Sequence, residues 1–252
     1  MVPTAMLPVQ RRQEILNAVR AGTSHVAELA SAFGVSEMTV RRDLRDLERE
    51  GKLTRVHGGA ISPGEPSFAE VVVERLDQKD RIGAAAAALV ADGQTIMLDI
   101  GTTTLQLARH LRGRNVTVIT SNLAAYEELL PETTVELVLL GGVVRRNYRS
   151  LVGVLAEDAL RQLRADIAFL GASGVGDDLA VMDDTMVEVP IKRAMLASSA
   201  KAVLLADSAK LGMRGSVRIC GAGELDAVVT DDEAPEALRG ELRAAGVEVI
   251  LA

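Results

Sequence analysis

Apolar positions recur at helical spacing three times within the first fifty residues. Ile15, Leu16 and Val19 do so between Gln10 and Arg20, and Val26, Leu29, Ala30 and Phe33 do so between Val26 and Phe33. A third stripe runs through Val40, Leu44 and Leu47. Residues three and four apart share one face of a helix, so three short helices are predicted. Gly34 ends the second and supplies the tight turn that a helix-turn-helix needs. Ser36 is an N-cap for the third, predicted to run to about Glu50 before Gly51 stops it. Lys52 to Gly59 reads as a short two-stranded wing, and Pro63, Gly64 and Pro66 mark a linker.

Beyond the linker the period changes. An Ala-rich helix is predicted over Gln78–Ala91, followed by apolar strands at Thr95–Leu98, Val116–Ile119, Val135–Leu139, Ile167–Leu170, Ala202–Leu205, Ala227–Val229 and Val247–Leu251. Helices are predicted between them, near 103–111, 123–130, 153–163, 187–199 and 234–245. Strands alternating with helices of this length imply a mostly parallel sheet covered on both faces. The expected fold is an N-terminal winged helix-turn-helix followed by a mostly parallel α/β domain. The expected boundaries are 1–60 for the first domain, 61–75 for the linker and 76–252 for an effector-sensing domain.

Composition sharpens the division. The 252 residues carry a net charge of −7, which taken alone argues against a nucleic-acid binder. Residues 1–60 nevertheless hold nine Lys/Arg against seven Asp/Glu, leaving −9 for the remainder. A small basic head on an acidic body suggests two modules with different partners. The longest apolar run, Ala84–Ala91, is eight residues, against the roughly 20 that a membrane span needs. No secretory leader is evident, so a cytoplasmic protein without membrane partners is expected. Cys220 is the one cysteine, and it follows an apolar stretch as a core residue would. His25, His57 and His110 lack metal-ligand spacing. Neither a metal nor a cofactor is expected.

On a helical wheel Met38, Arg42, Arg45 and Arg49 lie opposite Val40, Leu44 and Leu47, with Thr39 and Arg41 on the flanks. A solvated charged face is the bland reading. The preceding helix, the Gly34 turn and the basic wing favour a face for the DNA major groove, where Arg reads guanine or holds phosphate. The candidate DNA contacts are therefore Ser36, Met38, Thr39, Arg41, Arg42, Arg45, Arg49 and the wing residues Arg55 and His57, the last equally compatible with a simple turn role. Asp43 falls on neither face and is expected to pair with a nearby Arg.

These residues carry a resemblance. Arg11-x3-Ile15-x3-Val19, then Ser36-x2-Thr39-Val40-Arg41-Arg42-Asp43-Leu44 and Leu53-Thr54-Arg55-Val56-His57-Gly58-Gly59-Ala60, resemble the signature of the DeoR family of bacterial transcription regulators. The resemblance implies a regulator of double-stranded operator DNA, more often a repressor.

In the second module, Asp99-Ile100-Gly101-Thr102-Thr103-Thr104 follows the first strand and opens a helix. Its hydroxyls and free N–H groups make an anion cradle, but it lacks the P-loop lysine and the dinucleotide glycine spacing. Asn122, Gly141-Gly142, Gly171 and Asp207-Ser208-Ala209-Lys210 stand after later strands. Each alone reads as loop punctuation or capping. Together they fall where α/β sheets bind ligands, outside the strands' carboxyl ends. Their order also resembles the DeoR sensor domain over about residues 75–232, which implies a phosphorylated sugar or related phospho-metabolite as effector. The resemblance places Glu188 and Lys192 near it, the alternative being a surface salt bridge between residues four apart. The candidate effector set is Asp99, Gly101, Thr102, Thr103, Thr104, Asn122, Gly141, Gly142, Gly171, Glu188, Lys192 and Lys210.

That sensor is similar to ribose-5-phosphate isomerase, so an isomerase-like enzyme with a DNA-binding head is the alternative. The isomerase's Asp-Gly-Ala-Asp-Glu motif corresponds here to Leu170-Gly171-Ala172-Ser173-Gly174, which offers no base for proton transfer. No catalytic residue is expected. A head of about sixty residues makes few base contacts, so a homo-oligomer, dimer or tetramer, is expected to bind the operator.

Overall fold

The computed structural model describes residues 8–20, 25–49, 53–56, 59–61 and 66–252, and the chain divides into two compact units, Met1–Glu65 and Pro66–Ala252. The first unit holds helices α1 (Pro8–Arg20), α2 (Val26–Phe33) and α3 (Glu37–Arg49). Two antiparallel strands follow, β1 (Thr54–Val56) and β2 (Gly59–Ile61). The three apolar stripes meet, with Leu53, in one cluster. Gly34 adopts the left-handed conformation, φ 62° and ψ 33°, that ends α2. Asp43 is buried rather than lateral. Arg11 grips it through Nε at 2.7 Å and Nη2 at 3.3 Å, the kind of partner a buried carboxylate requires.

The second unit opens with α4 (Phe68–Val71) and α5 (Leu76–Ala87). The expected linker over 61–75 is corrected by this. Residues 59–61 complete the two-stranded wing, and 66–75 belong to the second unit. Ser67 and Glu70 cap α4 reciprocally, and the large apolar side chain of Phe68 is buried beside Leu105 and Ala124.

Next come β3 (Thr95–Leu98), α6 (Thr102–His110), β4 (Val116–Thr120), α7 (Leu123–Leu129) and β5 (Val135–Leu139). They lead to β6 (Val143–Arg145), β7 (Ser150–Val152), α8 (Val154–Gln162) and β8 (Ala165–Leu170). After these stand β9 (Gly174–Val175), β10 (Ala180–Asp183), α9 (Val189–Ala197) and β11 (Ser199–Leu205). The chain closes with β12 (Val217–Gly221), β13 (Ala227–Thr230), α10 (Glu236–Ala244) and β14 (Glu248–Leu251).

The seven predicted strands form one parallel sheet in the order β14-β13-β11-β8-β3-β4-β5. Strand alternation sends Met97, Ala168 and Leu204 into one apolar cluster and Ile96, Phe169 and Val203 into another. Both faces are thus covered. The sequence reading missed the antiparallel pieces, the β6–β7 hairpin and the β12-β10-β9 sheet. Their strands are two to five residues long, too short to show a period. From β3 the chain fills β4 and β5 on one side and then returns to β8 on the other, so the order reverses between β3 and β8. A crevice at the strands' carboxyl ends is expected there.

Candidate functional site

Asp99 follows β3 and Gly171 follows β8, and they meet at that reversal. The Gly171 N–H donates to Asp99 Oδ2 at 2.9 Å, and the Asp99 N–H donates to the Phe169 carbonyl at 3.0 Å. Lys192, fully buried on α9, ion-pairs with the same Asp99 oxygen, donates to the Gly171 carbonyl at 3.1 Å and lies 3.4 Å from Asp183. Burial works against its charge, but Asp99, Asp183 and Glu188 overcome that and hold it protonated. Burial pushes Asp99 up, against the pull of Lys192.

Glu188 and Lys192 do not form a surface pair with each other. Both are buried, and Glu188 instead takes Arg145 and the Ser150 hydroxyl, the latter at 2.8 Å. Burial raises the Glu188 carboxyl to about 7, with Lys192 and Arg145 opposing. Asp99, Ile100, Ser121, Leu151, Val152, Glu188 and Ile191 line a narrow pocket too tight to hold a water molecule. Asp99 Oδ1 and Ser121 Oγ are buried at it without a hydrogen-bond partner.

Two further ammonium groups stand near. Lys210 Nζ donates to the Ala172 carbonyl at 2.6 Å, and Lys79 Nζ to the Val71 carbonyl at 2.7 Å. An ammonium carries three donors, so each has capacity left. Burial lowers Lys79 to about 8, helped by the charge of Lys210, and burial likewise lowers Lys210. Arg75 joins α5 to the neighbouring strand ends through Asp207 at 3.3 Å and Asp231 at 3.5 Å.

The remaining expected residues serve the frame. The Asn122 amide oxygen accepts the Ala124 and Ala125 N–H groups at 3.0 and 3.1 Å, and its nitrogen donates to the Gly101 carbonyl at 3.1 Å. It caps α7 and presents no free group. Thr104 donates to the Gly101 carbonyl at 3.0 Å, and Thr102 and Thr103 are buried at the start of α6. Gly141 and Gly142 stand at the foot of the β6–β7 hairpin, where a Cβ on Gly142 would come within 2.7 Å of the Val152 carbonyl. The sequence reading missed Ser121, Arg145, Ser150, Asp183 and Lys79. Ser121 alone had a signal, its place beside Asn122 after a strand. The others join the site through short or helical elements with no motif of their own. A larger cleft of about 490 Å³ lies beside Arg193, Arg218 and Cys220. There the Arg193 guanidinium is bound to backbone carbonyls, and burial pushes the Cys220 thiol up to about 11. Among the described residues no acidic, His or Cys cluster could hold a metal, and no helix is long and apolar enough to cross a membrane.

In the first unit, Arg42 and Arg45 are exposed and without an ion-pair partner among the described residues. Arg41 pairs with Glu37 at 3.1 Å and Arg49 with Asp46 at 2.9 Å. Met38 is 74% exposed. Ser36 Oγ accepts the Thr39 N–H at 3.2 Å, capping the first turn. His57 and the Arg55 side chain lie outside the described residues.

Comparison with known proteins agrees with both units. Residues 11–65 match the DeoR-like helix-turn-helix domain and 74–232 the DeoR C terminal sensor domain. The chain belongs to the DeoR family. It is thus an HTH-type, DNA-binding transcriptional regulator with a sensor domain. Similar DeoR-type proteins include the uncharacterized HTH-type transcriptional regulator YgbI of Escherichia coli, 39% identical over 92% of each chain. The lactose phosphotransferase system repressor of Staphylococcus epidermidis is 36% identical over 88% of this chain and 91% of its own. Among solved structures, ribose 5-phosphate isomerase A from Methanocaldococcus jannaschii is similar at TM-score 0.41, 22% identical over 55% of each chain.

Proposed function

We propose that this regulator represses transcription by binding operator DNA through α3 and is released by a phosphorylated sugar bound at the strand ends between β3 and β8. Arg42, Arg45 and Met38 are exposed, the two arginines without an ion-pair partner among the described residues, and the sequence of the wing offers Arg55 and His57 for backbone-phosphate contacts. The similar lactose phosphotransferase system repressor supports repression of a carbohydrate operon. The observation that carries the effector reading is the charge arrangement in the sensor. Lys210 and Lys79 are desolvated ammonium groups hydrogen-bonded to backbone carbonyls, Lys210 within the charge field of Lys192 and Asp99, and the narrow pocket at Asp99 holds two unpartnered oxygens. A phosphate satisfies the first, and sugar hydroxyls satisfy the second. Asp99, Gly171, Glu188 and Lys192 frame the sugar end, while Gly101, Thr102 and Thr103 present the start of α6. Binding favours an arrangement of heads, in a dimer or tetramer, that no longer matches the operator half-sites. The protein acts in the cytoplasm.

A thermal-shift panel of phosphorylated sugars tests this, because ligand at 100 times its Kd stabilises by about 2.7 kcal/mol. Lys210→Ala should weaken the effector found at least about tenfold while leaving operator binding intact. Unchanged effector affinity in that variant would sink the assignment. Glu188 keeps the isomerase alternative in play. Its raised carboxyl supplies at the cavity the base that Leu170 and Ser173 lack. We read it as a holder of Arg145 and Ser150 and expect no turnover of a pentose phosphate. Measurable interconversion of ribose and ribulose 5-phosphates would reverse that reading.

A further inference from the structure

The pocket beside Asp99 is too tight to hold even a water molecule, whereas clefts that take a metabolite run from roughly 300 Å³ upward. Part of its wall must move to admit a phosphorylated sugar. Asp99, Ile100 and Ser121 are held at the ends of β3 and β4 within the parallel sheet, and Ile191 is a core residue of α9. Leu151 and Val152 differ. They lie on β7, whose ladder partner is β6, and β6 exposes Val143 and Val144. A glycine in the left-handed region stands at each foot of this hairpin, Gly142 at φ +154° and Gly153 at φ +99°. Residues that absorb large backbone rotations at the ends of an element are what a hinge requires.

The other end of the hairpin has its own contact. The Phe68 N–H donates to the Asn147 carbonyl at 2.9 Å. The Phe68 and Tyr148 rings meet edge to face, centroids 6.0 Å apart at 85°, and the Arg149 guanidinium stands 5.6 Å from the Phe68 centroid. Phe68 opens α4, three residues after the first unit ends at Glu65.

We propose that the β6–β7 hairpin is a hinged wall of the effector cavity, swinging on Gly142 and Gly153, and that its turn moves Phe68 with it. Occupancy of the cavity is thereby passed to the segment that leads into the DNA-binding unit. The proposal rests on the effector reading above. Arg145 and Ser150 both reach Glu188 from the hairpin, and the Leu151 and Leu123 N–H groups join it to the end of β4, so the closed position is the default and opening gives up those contacts. The Leu151 N–H, bonded to the Ser121 carbonyl at 2.9 Å, reports the cavity side of the hairpin. The Phe68 N–H reports the far side.

Amide hydrogen exchange on the full chain tests both halves. Without ligand, Tyr148→Ala and Phe68→Ala each loosen the turn. Exchange across 143–152, Leu151 included, should speed up at least about tenfold while β3 and β4 stay unchanged. Faster exchange confined to 146–149, or none, overturns the hinge. Should Phe68→Ala fail to fold, Tyr148→Ala at the half-exposed turn carries the test. In the wild type, ribose 5-phosphate, glucose 6-phosphate and glycerol 3-phosphate are added singly. One that raises the melting temperature should hold the wall open and speed exchange at both Leu151 and Phe68. Faster exchange at Leu151 with Phe68 unchanged overturns the coupling, and slower exchange at Leu151 overturns the opening. If none of the three raises the melting temperature, that counts against the effector reading, and the ligand-free comparison still decides the hinge.

Discussion

The two units deploy positive charge in opposite ways. On α3 the cations Arg42 and Arg45 are exposed, have no ion-pair partner among the described residues and lie outside the apolar cluster of the domain. In the sensor the cations Lys192, Lys79 and Lys210 are desolvated and set among backbone carbonyls and carboxylates. Exposed guanidinium groups suit a long polyanion that is approached, sampled and left, with affinity that falls as salt rises. Buried ammonium groups suit one small anion in one pose, and they burden the fold until it arrives. Stability and function are therefore separable on α3 and entangled in the sensor.

The largest effect that would break this contrast is on Lys192. Lys192→Met leaves Asp99 and Asp183 buried without their cation, and should destabilise the second unit by about 3–5 kcal/mol in urea denaturation. Adding Asp99→Asn should recover part of the loss. A near-neutral single variant would mean that the pair is not coupled to folding. Next is a pH effect on Glu188. Its carboxyl is raised to about 7 from 4.5, so its stabilising contribution is complete below pH 4.5 and is lost as pH rises through 7. The slope should amount to something on the order of 3 kcal/mol over that window, and Glu188→Gln should flatten it in denaturation curves between pH 5 and 8. Arg42→Ala and Arg45→Ala come third. Each should cost operator binding roughly 1–3 kcal/mol if it reads a base, or reduce the salt slope by about one if it holds a phosphate. The melting temperature should not move. A melted head, or unchanged binding in both, would erase the distinction drawn here. The smallest effect belongs to Arg41→Ala, which removes the exposed pair with Glu37. It should cost the helix about 0.3–0.5 kcal/mol, read by thermal denaturation.

The seven parallel strands were legible because each is an apolar run bounded by turn residues. The three head helices were legible because Ile15, Val26 and Val40 each begin a clear stripe. Glycine signals mixed two roles that sequence cannot part. Gly171 stands in the site through its N–H and carbonyl, whereas Gly142 admits the Val152 carbonyl at the foot of a hairpin. A strand-end Asn serves as a ligand contact or as a helix cap, two roles that one sequence position cannot part, and Asn122 caps α7. Arg145 and Lys79 could not be found in advance. Their positions depend on a short hairpin and on packing of α5, neither of which leaves a periodic trace. The α4 segment was lost to the linker because four residues give no period, although Ser67 and Glu70 spell its cap.

On α3 the residues that build the core, Val40, Asp43, Leu44 and Leu47, share no position with the outward set of Met38, Arg42 and Arg45. A duplicated copy of such a regulator can therefore acquire a new address without first losing its fold, since every outward substitution leaves the buried set untouched. Its inducer need not change along the way. Which genes are governed and which metabolite governs them become independently heritable, and a lineage can diversify one while the other stands still.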